Sequence, residues 1–150
     1  MLKIYNILEK MKFLKEVATL EYEEWADKPE EDKEARIKGK IEKIKIQLKG
    51  KDFCKLILLD DDKLIGFISI FPQDCDECPK LSPWYATMYV KQEYRGQGYS
   101  KILNDAILKE ARKRGYKEIY LKTMLNDYYE KFGAIFVKKI SEEKIYKFEL

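Results

Sequence analysis

The 150-residue sequence contains no histidine. That absence removes Ser-His and Cys-His nucleophile pairs, imidazole general bases and His-ligated zinc. Proton transfer is left to Tyr, Asp, Glu, Lys, Cys or water. Cysteine is scarce as well: Cys54, Cys75 and Cys78 make an odd number with no secretory leader, which argues against a disulfide framework. Cys75-Asp76-Glu77-Cys78 looks like half a metal site, but a structural zinc takes four ligands and only Cys54 remains, so no metal is expected. A redox CxxC usually opens a helix, and Pro79 with its loop context argues against that, so the pair reads as a bystander. No apolar run approaches the roughly 18 residues that span a bilayer. The opening "MLKIYNILEKMKF" mixes acid with base and has neither an h-region nor a cleavage site. A cytoplasmic protein without a membrane partner is the expectation. Neither sign of charge dominates: 30 Lys and Arg stand against 27 acids, a net charge of +3. Such interspersed charge is a solvated surface rather than a nucleic-acid footprint, and the basic run Lys109 to Lys117 reads as a helix-end cluster.

What is present is enough for a core, since 45% of residues are hydrophobic. There is no repeat, low-complexity tract or Pro/Gly/Ser linker, which predicts one domain over residues 1–150. Residues 8–26 read as a helix with Leu14, Val17, Ala18, Leu20 and Trp25 inward. A second helix is expected to start at Pro29, with Glu30, Glu31 and Asp32 in its first turn and Ile37, Ile41, Ile44 and Leu48 as its apolar stripe. "FCKLILLD" and "KLIGFISIF" flank Asp60-Asp61-Asp62 and predict a hairpin. A polar loop from Pro72 to Ser82 leads to the strand "WYATMYV". A helix then runs to about Arg114 with Ile102, Leu103, Ala106, Ile107 and Ala111 inward, and Gly115 ends it. Strand "EIYLKTM", a short helix near Asp127–Phe132 and the pair "AIFVKKI" and "KIYKFEL" complete the chain. The order ααβββαβαββ is α+β or mixed α/β, with a mostly antiparallel sheet of about six to seven strands and about four helices.

Glycine is also sparse, with seven in all, yet Gly96 and Gly98 stand one residue apart at the mouth of a helix. Arg95-Gly96-Gln97-Gly98-Tyr99-Ser100 brings consecutive backbone N–H groups to a helix N-terminus, where four donors lack intrahelical partners and the dipole favours an anion. Gly98 allows close approach to the backbone, Gly96 a positive φ, and Arg95 adds charge; the set suits a phosphate or pyrophosphate. The spacing is neither a dinucleotide fingerprint nor a Walker loop.

"MYVKQEYRGQGYSKIL" resembles the signature of the GNAT-type N-acetyltransferase superfamily, a strand followed by R/Q-x-x-G-x-G/A and an amphipathic helix. Arg95, Gly98 and Ser100 occupy its positions, with Ser100 departing from Gly or Ala. "YYEKFGAIFV" resembles the second signature, Y-E-K-x-G-F, with Tyr129, Lys131 and Gly133 in register and Ala134 in place of the aromatic. "LSPWYATMYV" looks like a subgroup with Pro-Trp before the central strand. The resemblance implies a GNAT-like fold over nearly the whole chain and acetyl-CoA as co-substrate, its pyrophosphate on Arg95 to Ser100. It further implies a bulged strand whose Met88, Tyr89 and Val90 backbone serves the pantetheine arm and the acetyl oxygen. Tyr129 matches the general acid, with Tyr128 as fallback, and Asn126 is a further pantetheine contact. No base is assigned, although Glu24, Asp74, Asp76 and Glu77 lie on segments expected to rim the acceptor cleft. Trp25, Trp84 and Tyr85 either wall that cleft or pack in the core. The expected reaction is direct attack by a primary amine of a small molecule or peptide in a ternary complex, with room for a homodimer. The alternative is an acyl-CoA-binding regulatory module without turnover.

Overall fold

The computed structural model describes residues 1–26 and 32–150. The expected helix start at Pro29, Glu30 and Glu31 lies outside the described residues. Among the described residues, seven strands form one sheet in the order β1-β2-β3-β4-β5-β7-β6. They are β1 (Leu2–Asn6), β2 (Cys54–Asp60), β3 (Lys63–Phe71), β4 (Trp84–Val90), β5 (Glu118–Thr123), β6 (Ile135–Ile140) and β7 (Glu143–Glu149). Every neighbouring pair is antiparallel except β4 and β5, which are parallel and meet only at Trp84 and Tyr120. Three α-helices are described: α1 (Leu14–Trp25), α2 (Lys33–Gln47) and α3 (Tyr99–Lys113).

Alternation along the strands sorts their side chains into two layers. On β2, Cys54, Leu56 and Leu58 pack with Leu103, Ile107 and Ala111 of α3. Ile57 and Leu59 pack on the opposite face with Leu14, Val17 and Ala18 of α1 and Ile44 of α2. Gly115, at φ 86°, ends α3 as expected, with Tyr116 N–H bonding to Ala111 O and Gly115 N–H to Arg112 O.

Three expectations change. The sequence predicts a helix from residue 8 and no strand before it. Instead Leu2–Asn6 pairs with Asp60–Leu56, and Asn6 and Glu9 form a capping box on a 3-10 turn, so regular helix begins only at Leu14. The short helix near Asp127–Phe132 is a four-residue 3-10 turn, Tyr129–Phe132, stopped by Gly133 at φ 97°; this leaves three α-helices rather than about four. Trp25 and Ile102, expected inward, are 47% and 37% exposed, while Leu108 is buried.

Gly66 is demanded by packing. A Cβ there would lie 2.3 Å from the Tyr89 carbonyl oxygen and 3.1 Å from Val90 Cα, both backbone. Gly66→Ala should therefore push β4 away and destabilise the fold by about 1–3 kcal/mol. Thermal unfolding checks this, and an unchanged melting temperature would contradict the close approach.

Candidate active site

Two features part β4 from its neighbours. The single β4–β5 bridge at Trp84–Tyr120 leaves the rest of the β5-facing edge of β4 without a ladder. On the other side, Phe67 faces Tyr89 while Ser69 faces Ala86, so Thr87 and Met88 together stand opposite Ile68. This is a β-bulge, which bends the strand and frees backbone groups. Thr87 sits within it at φ 50°. A β-branched residue in the left-handed region is an outlier, with strain of about 1–3 kcal/mol that persists only where neighbours enforce it.

The chain leaves β4 through a 3-10 turn, Gln92–Tyr94, and reaches α3 by way of Gly96 (φ 77°) and Gly98 (φ 84°). No atom lies within 4 Å of a Cβ built on either glycine, so the space over these amides is open. Gly98 is the N-cap of α3 and no side chain caps the helix, so its first N–H groups face a ligand or water. Arg95 Nε donates to Val90 O at 2.8 Å, and the guanidinium sits 5.4 Å from the Tyr89 ring centroid. The arginine thus ties the turn to the end of β4. A cleft of ≈ 840 Å³ opens here, and all the expected cofactor residues line it except Gln97 and Asn126. Both are exposed, and Asn126 Oδ1 accepts from Lys144 Nζ.

A second cleft of ≈ 490 Å³ lies between α1, α2, the loop after β3, and β5. The two clefts share Met88 of the bulge and Tyr129. The Tyr129 ring is edge-on to Tyr85 at 5.8 Å and to Tyr128 at 4.8 Å. Burial, with a smaller contribution from Tyr128, pushes its phenol up to about 12. Tyr128 Oη makes a long contact, 3.4 Å, with Ser100 Oγ, which joins the 3-10 turn to the start of α3.

Of the four acids weighed as bases, Asp74 lines the second cleft and Glu24 the first, while Asp76 and Glu77 are exposed and line neither. Burial pushes the Asp74 carboxyl up to about 6, Lys122 opposing and Glu143 adding to the shift. Trp25 and Tyr85 line the second cleft; Trp84 is fully buried, its Nε1 donating to Leu81 O. Cys75 and Cys78 are free thiols, and Cys78 packs with Trp84, Tyr120 and Ile145. Among the described residues no group of three or more metal-ligating acids or thiols is assembled, and no helix is long and apolar enough to cross a membrane.

Sequence reasoning missed Glu21, Lys55, Ser69 and Thr87, which form one polar chain beneath the bulge. The signal was available: Glu21 interrupts the apolar stripe Leu14-Val17-Ala18, and Lys55 is the lone charge inside "CKLILL".

Comparison with known proteins agrees with this geometry. The sequence profile of the acetyltransferase (GNAT) family matches residues 4–134. N-alpha-acetyltransferase 30 of Schizosaccharomyces pombe is 33% identical over 89 residues, which are 56% of this chain and 59% of that protein. The chain therefore spans less than two thirds of that relative's length. The fold is shared with the PaiA N-acetyltransferase of Thermoplasma acidophilum in complex with coenzyme A, at TM-score 0.69 and 22% identity, covering 100% of this chain and 99% of the other. It is shared equally with an aminoglycoside 6'-acetyltransferase type Ii, at TM-score 0.70 and 20% identity, covering 98% and 96%. A bulged strand, a glycine turn at a helix N-terminus and a family profile over most of the sequence agree: the chain belongs to the acetyltransferase (GNAT) family.

Proposed function

We propose that this chain is a single-domain N-acetyltransferase that moves acetyl from acetyl-CoA to a primary amine by direct attack in a ternary complex. The observation that carries the reading is the meeting of two clefts at Met88 and Tyr129. One offers open amides and Arg95 for a pyrophosphate. The other offers an aromatic-walled chamber for an amine, lined by the carboxylates Glu21, Asp74 and Glu143 and by Lys40, Lys43 and Lys122.

The residues present fit the co-substrate: side-chain-free amides at Gly96 and Gly98 for the diphosphate, and a bulge with a bare strand edge for the pantetheine amides. Bound there, acetyl-CoA supplies an activated carbonyl and a thiol leaving group. The backbone of Met88, Tyr89 and Val90 orients the arm and donates to the acetyl oxygen; such a donor is worth about 3 kcal/mol when charge develops on that oxygen. Tyr129 keeps its proton at neutral pH and presents it to sulfur. The burial that raises the phenol also disfavours the charged form of a thiolate leaving beside it, so burial does not by itself unbalance the transfer. Asp74, raised toward neutrality yet ionised above about 6, receives the ammonium proton directly or through water. The absence of histidine leaves no Cys-His pair and favours direct attack over an acyl-enzyme. A small-molecule or peptide amine as acceptor is consistent with relatives named an N-alpha-acetyltransferase and an aminoglycoside 6'-acetyltransferase.

A broad amine screen that follows free CoA tests the reaction, and failure of every amine to give turnover would leave a CoA-binding module. Placement of the co-substrate is tested by Gly98→Val, which sets a branched side chain over the amides of α3. CoA affinity by calorimetry should fall at least tenfold, with pantetheine binding less affected because it lacks the diphosphate. Unchanged CoA affinity in a folded Gly98→Val protein would remove the diphosphate from this turn.

A further inference from the structure

A lysine inside a strand buried on both faces must find partners for its ammonium. Lys55 lies on β2 with its side chain 3% exposed, facing the α1 and α2 layer. Its Nζ donates to Ser69 Oγ at 2.6 Å and stands 3.0 Å from Glu21 Oε2. Ser69 is its register partner across the β2–β3 ladder, so the pairing follows from the strand alignment. Ser69 Oγ in turn lies 2.6 Å from Thr87 Oγ1. The chain of contacts ends on the one residue of the bulge whose backbone is strained, at φ 50°. Glu21, at the other end, lines the acceptor cleft; its Oε2 has the ion-pair contact but no aligned hydrogen bond, and Oε1 is 3.9 Å from Lys40 Nζ.

A strained backbone persists only where its surroundings over-determine it. The Thr87 side chain is held by a hydroxyl that is itself anchored to a buried cation, a stronger arrangement than a bond between neutral groups in water. We infer that Lys55, acting through Ser69, is a positioning residue: it fixes the Thr87 hydroxyl, thereby sets the left-handed turn of the β4 bulge, and so aims the Met88 and Tyr89 backbone at the reacting carbonyl. Glu21 keeps the cation in place and links the acceptor wall to the same bulge. The inference deepens the acetyl-transfer reading and rests on it for its catalytic consequence, while the mechanical claim about the bulge stands apart from turnover.

The decisive variants separate the hydroxyl from the shape. Thr87→Val keeps the branched outline and removes the hydroxyl; Thr87→Ser keeps the hydroxyl; Ser69→Ala cuts the chain one step back and guards against a Thr87→Val protein that does not fold. On the best amine, Thr87→Val and Ser69→Ala should lower kcat on the order of tenfold, the scale of a sub-ångström misplacement, with KM for acetyl-CoA nearly unchanged. Thr87→Ser should retain most of the parental kcat. Backbone NMR gives a readout that needs no acceptor: Thr87→Val, Ser69→Ala and Lys55→Met should shift the Met88 and Tyr89 amides in the same direction and speed their hydrogen exchange, and Thr87→Ser should not. Thr87→Val or Ser69→Ala with parental kcat and unmoved Met88 and Tyr89 amides overturns the inference. If the parent turns over no amine, the acetyl-transfer reading fails alone, and the amide shifts still decide whether the buried lysine holds the bulge.

Discussion

Tyr129→Phe should lower kcat by roughly 10²-fold while acetyl-CoA affinity stays within a few-fold. The ring is retained, so its edge-on contacts with Tyr85 and Tyr128 survive, and with them the junction of the two clefts. Only the proton offered to sulfur is lost. Because burial holds the phenol near 12, the parental kcat should show no loss from Tyr129 deprotonation through the neutral and mildly alkaline range. Its acid limb should lie near 6, where Asp74 takes up a proton. Stability carries the same sign: a phenol raised from 10.0 to about 12 adds stability that is complete below pH 10 and lost as pH rises through 12. Steady-state rates with single-turnover controls read the effect. A Tyr129→Phe enzyme with parental kcat would remove this hydroxyl from the mechanism and turn attention to Tyr128, whose Oη contacts Ser100.

Much of this site was readable because its local rules are strong. Two glycines spaced one residue apart before an amphipathic segment state a positive φ and an uncapped helix start without any tertiary knowledge, and both appear at Gly96 and Gly98. The hairpin at Asp61-Asp62 followed from two apolar runs of β-formers. Elements that depend on distant partners were harder. β1 is short and exposed toward its start, and only its pairing with Asp60–Leu56 makes it a strand. The bulge has no letter of its own; Thr87 looks like an ordinary strand residue, and its left-handed φ arises from the two-to-one register with Ile68. Gln97 is expected at the cofactor through the backbone of its turn and Asn126 as a further pantetheine contact, and the side chains of both are exposed and line neither cleft. Glu21 and Lys55 were legible as charges on apolar stripes, but their partnership needs the α1 and β2 layers to be stacked.

That partnership carries the largest expected change in stability. Glu21 and Lys55 are each 3% exposed in their side chains and stand 3.0 Å apart. Removing one member strands the other in the core, so Glu21→Ala should cost about 3–5 kcal/mol, against near neutrality when both are replaced by apolar groups of similar volume. Glu21→Leu combined with Lys55→Met should therefore unfold close to the parental temperature, well above Glu21→Ala. The pH dependence follows from Lys55, whose ammonium burial pulls down and Glu21 holds up. A depressed lysine contributes stability that is present above its unfolded value of 10.5 and is lost as pH falls through the lowered folded value. Without Glu21 that folded value drops further, so the Glu21→Ala protein should gain stability with rising pH over a wider window than the parent. The double variant should lose that lysine-dependent slope. Its activity separates scaffold from function, because it restores packing without restoring a donor to Ser69. A double variant with parental stability and kcat reduced on the order of tenfold assigns the ion pair to the bulge. Parental stability together with parental kcat would reduce it to a dispensable feature of the core.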